Sequence, residues 1–106
     1  MSTQTVSAAP QPTVSPEVVA FAREKGVEQY LPPLIELARQ VYPSATQFKV
    51  FVEEDWEIRE TFIVFELDVP LTVDQSLAAN RRWHEGYQQI VLYPDPGAFR
   101  KSVNLP

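Results

Sequence analysis

The stretch Phe48–Val69, FKVFVEEDWEIRETFIVFELDV, leaves this chain few ways to fold. Two runs rich in Phe, Val and Ile, each with the two-residue alternation of a strand, flank an acidic connection that contains Trp56. In the first run Phe48, Val50 and Val52 share one face, and Lys49, Phe51 and Glu53 share the other. In the second, Ile63, Phe65, Leu67 and Val69 form an unbroken apolar face, while Phe62, Val64, Glu66 and Asp68 form its reverse. Between Glu53 and Asp68 sit seven of the chain's fourteen acids, opposed by Arg59 alone. A sheet built from this pair buries one face and has a second to account for.

Helical signals surround the pair. Ser15-Pro16-Glu17 combines an N-cap, a first-turn proline and a first-turn acid, Val18, Phe21 and Ala22 mark a buried face, and Gly26 supplies the left-handed stop. A second helix is expected from Tyr30 or Leu31 to Tyr42, with Tyr30, Leu34, Leu37, Ala38 and Val41 on one side and Pro43 closing it. After Pro70, Thr72 and Gln75 make a capping box. The third helix that follows places Val73, Leu77, Asn80, Trp83, His84, Tyr87, Ile90 and Val91 on its apolar face. Gly86 within it costs about 1 kcal/mol relative to Ala. Tyr93-Pro94-Asp95-Pro96-Gly97 is turn chemistry, and Ala98–Leu105 alternates as a terminal strand.

Residues 1–14 carry no charge and read as a disordered tail; residues 15–106 read as a single small domain. The expected fold is α+β in two layers, ordered α-α-β-β-α-β, with a three-stranded mixed sheet and the helices on one face. A right-handed crossover through the third helix brings the last strand parallel to the second.

Composition narrows the function classes. The net charge is −5 and is uneven: residues 1–70 carry five bases against eleven acids, residues 71–106 four against three. An acidic body disfavours nucleic acid, whose capture relies on clustered Lys and Arg. No apolar run reaches the ~18 residues of a membrane span, the N-terminus lacks a secretory pattern, and there is no cysteine. These point to a cytoplasmic protein with no membrane role, and the cysteine count excludes disulfides and thiolate metal sites.

Five constellations bear on chemistry. Glu53, Glu54, Asp55 and Glu57 lack the alternating spacing and the glycine of a calcium loop, so no metal is expected there. Glu66 and Asp68 point the same way from one strand, a geometry for a charged stripe more than for paired acid and base. His84, the single histidine, is expected on the apolar face of its helix as a core or boundary residue hydrogen-bonded to a neighbour; the alternative makes Trp83, His84 and Tyr87 the wall of a small pocket with His84 as acid or base. Arg81 and Arg82, at ion-pair spacing to Glu85, form with Arg100 and Lys101 the one basic concentration. The fifth is the reverse sheet face, where Phe51, Phe62 and Val64 sit among Lys49, Glu53, Glu66 and Asp68: an apolar centre inside a charged rim, the composition of an interface. No nucleophile stands in a recognisable setting, so no catalytic residue and no cofactor is assigned.

The segments GVEQYLPPLIELARQVYP, FELDV, RRW and RKSVN, with the acidic strand connection, are similar to a group of small uncharacterised bacterial proteins over residues 25–104. The resemblance implies the small member of a bacterial two-protein system and transfers no activity or residue role. The leading expectation is a non-enzymatic interaction module, a homodimer or an accessory, antitoxin-like subunit, that uses Phe51, Phe62, Val64, Glu66 and Asp68. The alternative is a small enzyme or ligand-binding domain around Trp83, His84 and Tyr87.

Overall fold

In the computed structural model, which describes residues 9–92 and 97–106, Phe48 lies opposite Leu67, Val50 opposite Phe65 and Val52 opposite Ile63. The two runs are antiparallel strands, β2 (Gln47–Asp55) and β3 (Glu60–Asp68), joined by residues 56–59. This register puts the two clean apolar rows on the same side. Phe48, Val50, Ile63, Phe65 and Leu67 are buried there in one cluster with Val18, Ala22, Leu34, Ala38 and Trp83 from the helices.

Among the described residues the architecture is α+β with three α-helices and a mixed sheet of four strands, in the spatial order β1-β2-β3-β4. The expected three-stranded sheet and α-α-β-β-α-β order are therefore corrected by one strand. That strand, β1 (Thr13–Val14), pairs parallel with β2 at Lys49 and Val50. It falls in the segment whose composition reads as a disordered tail. Ala9, just before it, is buried; its N–H donates to the Arg39 carbonyl at 3.1 Å, and Arg39 Nε donates back to the Ala9 carbonyl at 2.7 Å. Main-chain pairing holds residues 9–14 in place, and main-chain pairing leaves no pattern in side-chain chemistry. Residues 1–8 lie outside the described residues.

The local signals fall where they were expected, except that Ser15 precedes its helix without a side-chain cap hydrogen bond. Helix α1 (Pro16–Lys25) starts after Ser15 and ends at Gly26, which adopts φ 71° while its N–H bonds back into the last turn. A short 3-10 turn, Glu28–Tyr30, leads into α2 (Leu31–Val41), which buries Leu31, Leu34, Ala38 and Val41. Helix α3 (Val73–Ile90) opens on the full capping box: Gln75 N–H donates to Thr72 Oγ1 at 3.1 Å, and Thr72 N–H donates to Gln75 Oε1 at 3.0 Å. Strand β4 (Phe99–Asn104) then returns parallel to β3 at the sheet edge. Of the expected turn at Tyr93–Gly97, only Gly97 is among the described residues; it has φ 70°.

The orientation of α3 departs from its expected apolar face. Val73, Leu77 and His84 are exposed, whereas Ala79 and Trp83 are buried and Ser76, Asn80, Gly86, Tyr87 and Ile90 are half-buried. The cause is the seam with α2. A Cβ on Gly86 would stand 2.5 Å from Leu37 Cδ1, so the missing side chain is what lets the two helices close. The helix turns its small residues, and not its leucine, toward its neighbour. No described helix is long and apolar enough to cross a membrane.

Candidate functional site

Three surfaces carry the residues singled out by sequence: the reverse sheet face, the hairpin tip and a groove beside α3.

On the reverse face, the register brings Phe51 opposite Val64, Glu53 opposite Phe62, Lys49 opposite Glu66 and Gln47 opposite Asp68. The expected grouping is therefore present, but its apolar centre is largely occupied. Phe62 is 7 % exposed and Val64 6 %, while Phe51 is half-buried. Strand β4 supplies the cover. Arg100, paired with Val64, lays its guanidinium over the Phe62 ring at 3.7 Å and reaches Asp55 on the far strand at 3.3 Å. Farther along, Asn104 Nδ2 donates to Asp68 Oδ1 at 2.8 Å and to Glu66 Oε2 at 3.3 Å. Glu66 and Asp68 thus share an amide from their own chain. The apolar centre expected at an open interface is thus largely closed at Phe62 by Arg100 of β4, while Asn104 of the same strand ties up the Glu66 and Asp68 carboxylates at its edge.

The hairpin tip is where apolar surface remains open. Trp56 is 78 % exposed and Ile58 53 %, on either side of Glu57 in the four-residue connection. This connection has a defined shape. Asp55 Oδ1 accepts the Glu57 N–H at 3.0 Å, the side-chain turn that Asp makes with the backbone two residues on, and Arg59 adopts a left-handed φ of 56°. The Glu57 N–H is also the main influence holding the Asp55 carboxyl below its usual range, with the Ile58 N–H and Arg100 acting in the same direction against partial desolvation. Around the two apolar residues Glu53, Glu54, Glu57 and Glu60 are all exposed. The sequence already displayed Trp56 inside an acid-rich connection, but its composition alone reads as a solvated turn.

The expected pocket residues do come together. Trp83, His84 and Tyr87 line a groove of about 370 Å³ with Asn80, Gln88, Phe99 and Lys101, between α3 and β4. Trp83 forms its buried floor, with Phe65 at 6.0 Å and Tyr87 at 6.0 Å between ring centroids. His84 stands exposed at the rim, not on a buried apolar face. Sequence reading missed Lys101 as a member of this groove. Its alternation with Phe99 and Val103 was visible, and the pairing with buried Phe65 places it on the helix-facing side of the sheet.

The same alternation separates the basic residues. Arg100 lies on the reverse face and Lys101 on the helix-facing side, where Lys101 and Arg82 of α3 both approach Tyr42. Among the described residues neither Arg81 nor Arg82 pairs with Glu85, contrary to the helical spacing. Arg82 Nη2 instead donates to the Val41 carbonyl at 3.4 Å, at the C-terminal end of α2. Among the described residues, too, no group of three His, Asp or Glu stands close enough to hold a metal ion. No family model, curated protein or solved structure matches this chain.

Proposed function

We propose that the protein is a non-catalytic interaction module whose contact element is the β2–β3 hairpin tip, with Trp56 and Ile58 as apolar anchors inside an acidic rim. The observation that carries this reading is the exposure of Trp56. A tryptophan left in water forgoes the burial that its large apolar surface favours, and tryptophan is the residue type most enriched where binding energy concentrates. Its carrier supports the same reading. The tip is ordered by the Asp55–Glu57 turn and braced through Asp55 to Arg100, so little conformational freedom is lost when it docks. Four exposed glutamates around the anchors define the occupant as a protein surface that is basic and has an apolar recess. They also disfavour tip-to-tip pairing of two copies. The reverse face contributes half-buried Phe51 as a flank; Phe62 and Val64 are largely withdrawn by Arg100 and serve the domain's own packing.

The test is comparative. The full chain and its Trp56→Ala variant are used to capture a basic protein, which is then identified, purified and titrated against both. The variant should keep the wild-type melting temperature and bind at least about tenfold more weakly, the loss expected of an anchor residue. Affinity should fall as salt rises. Equal affinity of Trp56→Ala and wild type would sink the reading.

A further inference from the structure

The groove between α3 and β4 involves a different surface from the hairpin tip, and its chemistry is independent of it. Four rings run in sequence along this side of the domain. Phe99 meets Phe65 edge-on at 6.1 Å, Phe65 meets Trp83 at 6.0 Å, and Trp83 meets Tyr87 at 6.0 Å. Three of them line the groove, Phe99 and Tyr87 half-buried at its sides and Trp83 buried at its floor. Into the same groove comes Lys101, half-buried.

Lys101 is the unusual member. Among the described residues no carboxylate comes within ion-pair distance of it. Its ammonium is instead set over the Tyr42 ring, 5.3 Å from the centroid. Burial lowers its pKa below the ordinary lysine value, as expected for a cation short of both water and a counter-charge. An ammonium so placed gains from an incoming anion what the fold does not supply. Around it, Asn80 and Gln88 add side-chain amides and His84 stands at the rim, while the volume of about 370 Å³ lies in the range of small-molecule sites.

We infer that this groove binds a small aromatic carboxylate, its carboxylate on Lys101 Nζ and its ring against Trp83, Tyr87 and Phe99. A monoanion fits better than a phosphate ester. The half-buried donor set holds one cation, and the groove has neither a glycine loop nor an arginine fork to spread a larger charge. The planar body follows from the walls, since rings stack or meet edge-on with other rings.

The experiment is a titration of the isotope-labelled full chain with benzoate and with indole-3-acetate, using benzyl alcohol as the uncharged control. Saturable shifts are expected at the Trp83 indole and along residues 99–103, with benzyl alcohol binding at least about tenfold more weakly, the worth of one charge-assisted contact. Lys101→Met keeps the apolar stem and should abolish the difference between the acids and the alcohol. A second measurement needs no variant: the Lys101 ammonium, followed through its side-chain carbons, should show a raised pKa in the presence of benzoate. Absence of saturable shifts, shifts centred on Trp56, or an unchanged Lys101 titration would overturn the inference. So would a Lys101→Met chain that binds the acids as before but pairs along β4, because an inward-facing charge on an edge strand also guards against edge-to-edge association.

Discussion

The guanidinium of Arg100 lies 3.7 Å from the centroid of the Phe62 ring, and the same side chain reaches Asp55 across the sheet. One residue of the terminal strand therefore closes over the apolar centre of the reverse face and ties it to the base of the hairpin tip. Arginine suits this place because its planar, weakly hydrated head stacks on a ring while its edge still donates hydrogen bonds.

Arg100→Ala should expose Phe62 and destabilise the domain by about 1 kcal/mol, the scale of a cation–ring contact. Arg100→Lys should recover part of this, since it keeps the charge but not the flat face. Urea unfolding of the three proteins measures the difference, and increased binding of an apolar dye to Arg100→Ala would report the opened ring.

Tyr42 is completely buried and its hydroxyl has no hydrogen-bond partner among the described residues, and burial raises its pKa from 10.0 to about 12 despite the opposing field of Arg82. The phenol is neutral when protonated, so between these two values the unfolded chain releases a proton that the folded chain keeps. Stability should therefore fall as pH rises from 10 towards 12, by about 1.4 kcal/mol per unit within that window. Tyr42→Phe should remove this loss and, by deleting an unpartnered hydroxyl, be neutral or stabilising by about 1 kcal/mol at neutral pH. The comparison of variant with wild type isolates Tyr42 from Lys101, whose depressed pKa acts in the opposite direction and in a window that lies below the ordinary lysine value of 10.5.

At the α2–α3 seam two effects of opposite sign meet. Gly86→Ala gains about 1 kcal/mol of helix propensity. It also drives a methyl into Leu37, whose Cδ1, Cδ2 and Cγ would stand 2.5, 3.0 and 3.3 Å from it. Because three atoms of one side chain are crowded, overpacking of roughly 1–3 kcal/mol should prevail and the variant should be less stable. In a Leu37→Ala background the same substitution should become stabilising. A double-mutant cycle of melting temperatures tests this, and a stabilising Gly86→Ala in the wild type would refute the crowding.

Arg39 holds residues 9–14 through the Ala9 carbonyl. Arg39→Ala should cost about 1.5 kcal/mol, as for loss of a charged hydrogen bond, and should release this segment to limited proteolysis ahead of the rest of the domain. Cleavage at residues 9–14 at an unchanged rate would show that β1 pairing alone retains it.

What could be read from the sequence was what neighbouring residues decide among themselves. Thr72 with Gln75, Ser15-Pro16 with Gly26, and the alternation from Phe48 to Val69 each complete their physical reason within a few residues. Caps, stops and strand faces were therefore legible, as was the company of Trp83, His84 and Tyr87 on one helix. The remainder depended on a distant partner. Strand β1 is held by main-chain pairing with β2 and by the hydrogen bonds between Ala9 and Arg39, and an uncharged tail carries no sign of either. Helix α3 turns Gly86 inward because Leu37 is there to meet it, so Leu77, the stronger hydrophobe, is left in water. Phe62 looked open because its cover, Arg100, arrives from the far end of the chain. Sequence determined the elements and their faces through short-range geometry. Only tertiary packing decided which faces stayed exposed, because that is settled by which elements approach closely enough to exclude water.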